Sequence, residues 1–263
     1  MYKTRILLSV AVLLIAANVC LAEQAEPLKV SFTADYFSKY IWRGQNLTNG
    51  NVFQPNVSIS RWGFTGSIWG SMDWTSANDH SGEFTEFDYS LDYTAAIPWI
   101  KGINFSVGTV HYEFPGTVFH PTTEVYAGLS LGCTCNASGK CLACFCAPWV
   151  KVYRDVDEFE GTYLQFGIGR TIEKIATFGE NCYAGLQLGT SFGYGDSKYN
   201  KGYFGADGGG MNDWTISAAL PISFGAWTVK PSLSYSTMLD SDIRSNTAKS
   251  DNLWFGVSLS RSF

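Results

Sequence analysis

Asp251-Asn-Leu-Trp-Phe-Gly-Val-Ser-Leu-Ser-Arg-Ser-Phe263 alternates along its length. Leu253, Phe255, Val257, Leu259 and Phe263 fall on one side of a period of two, and Gly256, Ser258, Ser260 and Ser262 fall on the other. Successive side chains of a β-strand point to opposite faces, so this is a strand with one apolar and one wet face. Arg261 occupies the apolar phase near the end, where a long side chain can carry its charge out to a headgroup layer.

The same alternation recurs upstream. Leu28, Val30, Phe32, Ala34, Tyr36, Tyr40 and Trp42 read as one face of a first strand, followed by a polar connection, Arg43 to Asn51. Phe53, Val57 and Ile59 point outward on the next strand, which turns at Arg61-Trp62-Gly63 and returns through Phe64, Ile68, Met72 and Trp74. Phe87, Tyr89, Leu91, Tyr93, Ala95 and Ile97 then alternate with Glu86, Asp88, Ser90, Asp92 and Thr94. Three carboxylates on one strand would each lose kcal/mol-scale energies in lipid, so they face water and their apolar neighbours face out. Ile103, Phe105 and Val107 continue the pattern, and a switch to Val110, Tyr112 and Phe114 implies a bulge near Gly108.

Further strands carry Val125, Ala127, Leu129 and Leu131 outward with Glu124, Tyr126 and Ser130 inward; then follow Trp149 to Val156, Leu164 to Ile168, Tyr183 to Phe192, Trp214 to Leu220 and Trp227 to Tyr235. Gly193 to Asn212 reads as a glycine-rich loop, its Asp207-Gly-Gly-Gly-Met-Asn-Asp213 segment as flexible chain, and Leu239 to Ser250 as a polar loop. The fold class that follows is all-β: a transmembrane antiparallel up-and-down β-barrel of about 12 strands, an even number as single-chain bacterial barrels have. A β-sandwich, the soluble alternative, seldom sustains strands this long and aromatic. With both chain ends on the periplasmic side, the tight turns at Arg61, Pro98 and Ile222 are periplasmic and the long loops extracellular.

Composition agrees. Of 263 residues only 16% are charged, against ~25% in soluble domains, while fourteen Tyr, nine Trp, eighteen Phe and twenty-seven Gly suit aromatic girdles and close strand packing. Lys3 and Arg5 precede an apolar run, Ile6 to Ala17, too short to span a membrane, and Cys20-Leu21-Ala22 offers small residues for cleavage. Residues 1–22 are therefore expected to be a signal peptide and 23–263 the barrel. Val19 before Cys20 argues against a lipoprotein. From Glu23 onward sixteen basic face twenty-three acidic side chains, a net charge of −7, which excludes a nucleic-acid partner.

Ala34-Asp35-Tyr36, Tyr40-Ile-Trp-Arg-Gly-Gln45, Phe64-Thr-Gly-Ser-Ile-Trp-Gly-Ser71, Val107-Gly-Thr-Val-His-Tyr-Glu-Phe-Pro-Gly116 and Thr123-Glu-Val-Tyr-Ala-Gly-Leu-Ser130 together resemble the TorF-type outer-membrane porin family. The resemblance spans most of the mature chain, is strongest before residue 132, and rests on short aromatic motifs. It implies an outer-membrane barrel conducting small solutes, with the solute unassigned. A cysteine-rich insertion at 133–146 departs from that pattern.

Cys133, Cys135, Cys141, Cys144 and Cys146 lie in this insertion and Cys182 just before the ninth strand, so all six are expected at the periplasmic rim. An oxidising compartment and an even count favour disulfides, with Cys182 tied to the insertion; a thiolate metal site and intermolecular cross-links are weaker alternatives. No metal or other cofactor is expected.

The expected lumen-lining charges are Lys29, Asp35, Lys39, Asp73, Glu86, Asp88, Asp92, Glu124, Lys151, Asp155, Arg170 and Lys230. They either pair and plug a small lumen or line a water path that the carboxylates bias towards cations. The function expected is a porin-like outer-membrane channel for passive diffusion of small solutes or ions. A structural or adhesin-like barrel without an open pore is the alternative. A hydrolase is less favoured, since His80 and His120 fall in loops and His111 has no recognisable catalytic setting. The partners expected are outer-membrane lipid, small solutes and, through the closing strand, the barrel-insertion machinery.

Overall fold

The computed structural model describes residues 26–132 and 146–263. The signal-peptide assignment and Cys133, Cys135, Cys141 and Cys144 lie outside the described residues.

Twelve strands form the wall of a closed barrel. They are β1 (Lys29–Phe37), β4 (Val52–Arg61), β5 (Phe64–Asp73), β6 (Phe84–Ala96), β7 (Ile103–Glu113), β8 (Thr122–Leu131), β9 (Trp149–Asp155), β10 (Thr162–Gly179), β11 (Cys182–Gly195), β12 (Gly210–Ala219), β14 (Trp227–Met238) and β15 (Asp251–Ser262). Every pairing is antiparallel, and β1 against β15 closes the cylinder, so no edge of the wall is left to pair with another chain. Three short strands are extra: β2 (Tyr40–Trp42) with β3 (Gln45–Thr48), and β13 (Ile222–Phe224), which extends the wall beside β11 and β14.

Residues directly opposite in the ladder share a face. From the closing strand, Val257 lies opposite Tyr36, Tyr36 opposite Phe53 and Phe53 opposite Met72, all outward; Ser258 lies opposite both Asp35 and Lys230, all inward. The outward set includes exposed Ile68, Leu91, Leu233, Leu253 and Phe255. A soluble protein does not leave a continuous apolar belt of this kind in water. The buried set is reversed, with polar residues outnumbering apolar ones fourteen to ten among those described. Ten-residue strands tilted by ~40° rise about 25 Å, the height of a barrel's apolar band.

Aromatic clusters mark both edges of the band. Tyr36, Phe53 and Trp74 meet at the rim bearing the long loops. At the rim bearing the short turns, Phe64, Tyr93 and Phe105 meet, and Arg261 lies over Trp227 and Phe263 at 5.0 and 4.5 Å. Arg261 thus places its charge against aromatic faces at the edge of the band.

The expected phase switch in β7 does not occur. Its register with β6 and β8 is unbroken, so Ile103 to Val107 continue outward through Thr109 and His111, and Val110 and Tyr112 point inward. Gly108 has a different role: a Cβ there would lie 2.5 Å from the Tyr126 hydroxyl, so the glycine makes room for Tyr126 inside the barrel. Apolar Val110 and Tyr112 face inward because the interior is not uniformly wet.

Two loops also differ from expectation. Within the span Gly193 to Asn212, β11 runs on to Gly195, α1 (Ser197–Phe204) follows, and β12 begins at Gly210. The second half of the acidic glycine-rich segment is therefore strand, with Asn212 and Asp213 buried. Between Leu239 and Ser250 lies α2 (Ser241–Asn246), tied to α1 by the Asn246 side chain donating to the Phe204 carbonyl.

Candidate functional site

Tyr40 and Trp42 do not extend β1. The chain leaves the wall after Phe37, and β2 and β3 form a separate hairpin. Trp42 pairs with Gln45, leaving Arg43-Gly44 as a two-residue turn with φ of 46° and 79°. Positive φ at both positions is the primed turn that suits strand twist, usually filled by Asn-Gly or Asp-Gly. Gly44 is also required sterically, because a Cβ there would lie 2.6 Å from the Asp213 Cβ. Arginine is a poor choice for a left-handed position, a cost of ~1 kcal/mol or more that the surroundings must offset.

Those surroundings are a cage. Arg43 donates from Nη1 to Glu124 Oε1 at 2.8 Å and from Nη2 to Oε2 at 2.6 Å, a bidentate pair whose side chains are 7% and 1% exposed. Nη1 also donates to the Tyr199 hydroxyl at 3.1 Å, and the Tyr112 hydroxyl donates to Glu124 at 2.9 Å. The guanidinium carbon lies 4.4 Å from the ring centroids of Trp42 and Tyr153 and 4.3 Å from that of Tyr163. Tyr163 is held by donating to Asp213 at 2.7 Å. A planar cation is thereby met in its plane by a carboxylate and on its faces by π systems.

The rest of the hairpin is fastened by polar side chains. Thr48 donates to Asp73, Asn46 to Asn252, and Asn78 to both Thr48 and the Leu47 carbonyl. Above it, α1 contributes Tyr199, Tyr203 and Phe204 to a buried cluster with Tyr163, Met238 and Ile243. Asp196 caps α1 by accepting from the Tyr199 N–H at 2.8 Å, and Gly205 ends it at φ 64°. Burial would raise the Asp196 carboxyl, but hydrogen bonds from Tyr199 and Thr162, with Arg154 nearby, outweigh it and hold the group below the usual range.

Towards the short-turn rim the interior changes character. A chamber of about 410 Å³ is lined by Trp69, Tyr112, Tyr126, Asp88, Lys151 and Gln165 among others, with Trp42 and Arg43 as its ceiling. Ser67 and Ser90, which meet at 2.6 Å, also line it, and Ser31 meets Ser262 at 3.0 Å near the short-turn rim.

The expected charges distribute unevenly. Asp35, Asp73, Glu86, Asp88, Asp92, Glu124, Lys151, Asp155 and Lys230 lie on the inward phase, and Lys29 shares it at the exposed short-turn end of β1. Several are already engaged: Asp92 accepts from Tyr126 and Thr94, Asp155 from Thr122 and Tyr203, and Lys151 lies over the Tyr126 ring. Lys39 is on no strand of the wall; it sits half-buried between β1 and β2. Arg170 does not face the lumen. It follows Phe166 and Ile168 at two-residue spacing and lies opposite Leu188, on the outward phase. Arg43, Asp213 and Tyr199 are site residues that alternation alone did not single out.

Among the described residues no disulfide forms and Cys182 is a thiol, while Cys146 lies against an outward groove beside Ile168 and Leu188. Nor do the described residues contain a cluster suited to a metal ion. His111 faces outward, hydrogen-bonded to Thr123 at 2.9 Å and Glu113 at 3.1 Å.

Fold and site together define a transmembrane-type β-barrel with a loop folded into its lumen. Neither a protein-family model nor a curated protein matches the chain. Among solved structures it is similar to LpxR from Salmonella typhimurium, at 11% identity over 89% of this chain and 99% of that one, with a TM-score of 0.50. The KdgM porin is similar at 12% identity, with the same coverage and a TM-score of 0.49. The NanC porin follows at 10% identity, over 88% of this chain and 98% of its own, with a TM-score of 0.46. At these identities the likeness is one of fold.

Proposed function

We propose that the chain is a bacterial outer-membrane channel for small solutes or ions, biased towards cations and narrowed at its loop end by the β2–β3 hairpin. The observation that carries this reading is the chamber and the hydroxyl-lined interior beyond it. A barrel serving only as a solid post is filled by interdigitating side chains, whereas the small polar inward positions Ser31, Ser58, Ser67, Ser90, Ser258 and Ser260 are of the kind a water path needs. Charge supports the bias. Asp35, Asp73, Glu86, Asp88, Asp92, Glu124, Asp155 and Asp213 face inward and outnumber Lys29, Arg43, Lys151 and Lys230. Acidic walls raise the local concentration of cations.

The resemblance to TorF-type porins supports the same class. The short-turn rim is then periplasmic, residues 1–22 are the leader removed on export, the closing strand is what the insertion machinery engages, and Cys182 pairs with a cysteine of the 133–146 insertion once oxidised. Reversal potentials across planar bilayers under a potassium chloride gradient test the reading. Cation preference is expected; anion preference or silence under all conditions refutes it.

A second reading, a structural barrel without a pore, is favoured by one observation: the hairpin and α1 fill the loop half of the lumen. It differs in predicting silence even after the hairpin's anchor is removed.

A further inference from the structure

Arg43 is at odds with its own turn. Asn-Gly would satisfy the backbone at lower cost, so the arginine is explained by what its head group meets. What it meets is a complete receptor for a planar cation: a bidentate carboxylate from Glu124, a hydroxyl from Tyr199, and the faces of Trp42, Tyr153 and Tyr163. We infer that this cage is a binding site for a small alkylguanidinium compound, and that Arg43 is a tethered occupant which such a compound displaces, freeing the hairpin.

Access and exchange both support this. Trp42, Tyr112 and Tyr153 bound the cage and, with Arg43 itself, line the chamber below, so a solute in the chamber touches the cage directly. Asp88, opposite Tyr112 in the ladder, lines the same chamber and has a buried carboxylate oxygen without a hydrogen-bond partner. A cation in the chamber therefore finds a further carboxyl group beside the cage. Exchange of one guanidinium for another never leaves Glu124 bare, which avoids the large penalty of an unpaired buried charge. The competitor works only against the tether, whose effective concentration is of millimolar order for a short linker, so displacement from the wild type calls for roughly millimolar ligand or more. The regulatory half of this inference rests on the channel reading above; the binding half does not.

The test is to titrate Arg43→Ala, in detergent micelles, with methylguanidinium and with its neutral isostere methylurea, following tryptophan fluorescence from the cage. Saturable binding of methylguanidinium, at least about tenfold tighter than in the wild type because the tethered competitor is gone, is expected. Methylurea should not bind, Glu124→Gln in the same background should abolish binding, and Arg43→Met, which fills the cage, should not bind. A folded Arg43→Ala barrel with no saturable response, or one that takes methylurea equally well, overturns the inference. If Arg43→Ala does not fold, hydrogen exchange of residues 40–48 in the wild type decides: faster exchange in methylguanidinium chloride than in equal sodium chloride supports displacement, and identical exchange refutes it. Neither readout uses conductance. A cage that binds in a barrel that never conducts defeats the channel reading alone, and a conducting barrel with an indifferent cage defeats this one alone.

Discussion

Arg43 and Glu124 form the most deeply buried ion pair among the described residues, and each charge is compensated by the other. Removing one partner of a buried pair typically costs about 3–5 kcal/mol, far above the ~0–1 kcal/mol of a surface ion pair. Glu124→Gln should lower unfolding free energy by about that amount in lipid vesicles titrated with urea, while Arg43→Met with Glu124→Leu should recover most of the loss, since two packed apolar groups need no compensation. His111→Ala should leave conductance unchanged in the same bilayers, because its imidazole, bonded to Thr123 and Glu113, lies on the outward phase. Glu124 was legible in the sequence, since alternation with Val125 and Ala127 turns it inward. Arg43 was not: the apolar phase of β1 resumes after a single serine, Ser38, in Tyr40 and Trp42, and an arginine hides a primed turn that Asn-Gly would have announced. Arg170 shows the reverse failure, for its two-residue spacing from Ile168 already excluded it from the lumen.

The staves of the barrel were legible because lipid on one side and water on the other force a period of two on every strand. The inward hairpin and α1 were not, because their positions depend on what they dock against rather than on their own pattern. At this scale the cap of α1 is testable. Asp196→Ala should cost about 1 kcal/mol, the usual worth of an N-cap, and loosen Tyr199 from the cage, seen as faster hydrogen exchange in residues 197–204. The sign of the pH dependence follows from two depressed carboxyls. Lys198 donates to Glu160 at 2.9 Å and holds its carboxyl low, and Asp196 is held low by its hydrogen bonds. Groups lowered in the folded state stabilise it fully above their unfolded pKa and lose that contribution as pH falls through the folded value. The α1 loop should therefore keep its exchange protection from neutral pH down to the ordinary carboxylate range and lose it only in stronger acid. The hairpin has its own test. Gly44→Ala combines a positive φ with a collision against Asp213, so it should expel the turn and raise exchange across residues 40–48.

The molecule as a whole is a barrel turned inside out, apolar towards lipid and polar within, with a partition across its interior. Below the partition the lumen is hydroxylic, with acidic and basic side chains interspersed; above it, aromatic rings and two short helices close the loop end. Only the lower half resembles a conduit, and the Arg43–Glu124 pair is the one buried ionic anchor of the partition among the described residues. The most direct measurement is therefore single-channel recording of the wild type beside Arg43→Ala in planar bilayers. A small or rare conductance in the wild type, rising several-fold and staying cation-selective in the variant, is what a channel closed by this hairpin requires. Equal silence from both barrels, with the variant shown to be folded, would contradict it.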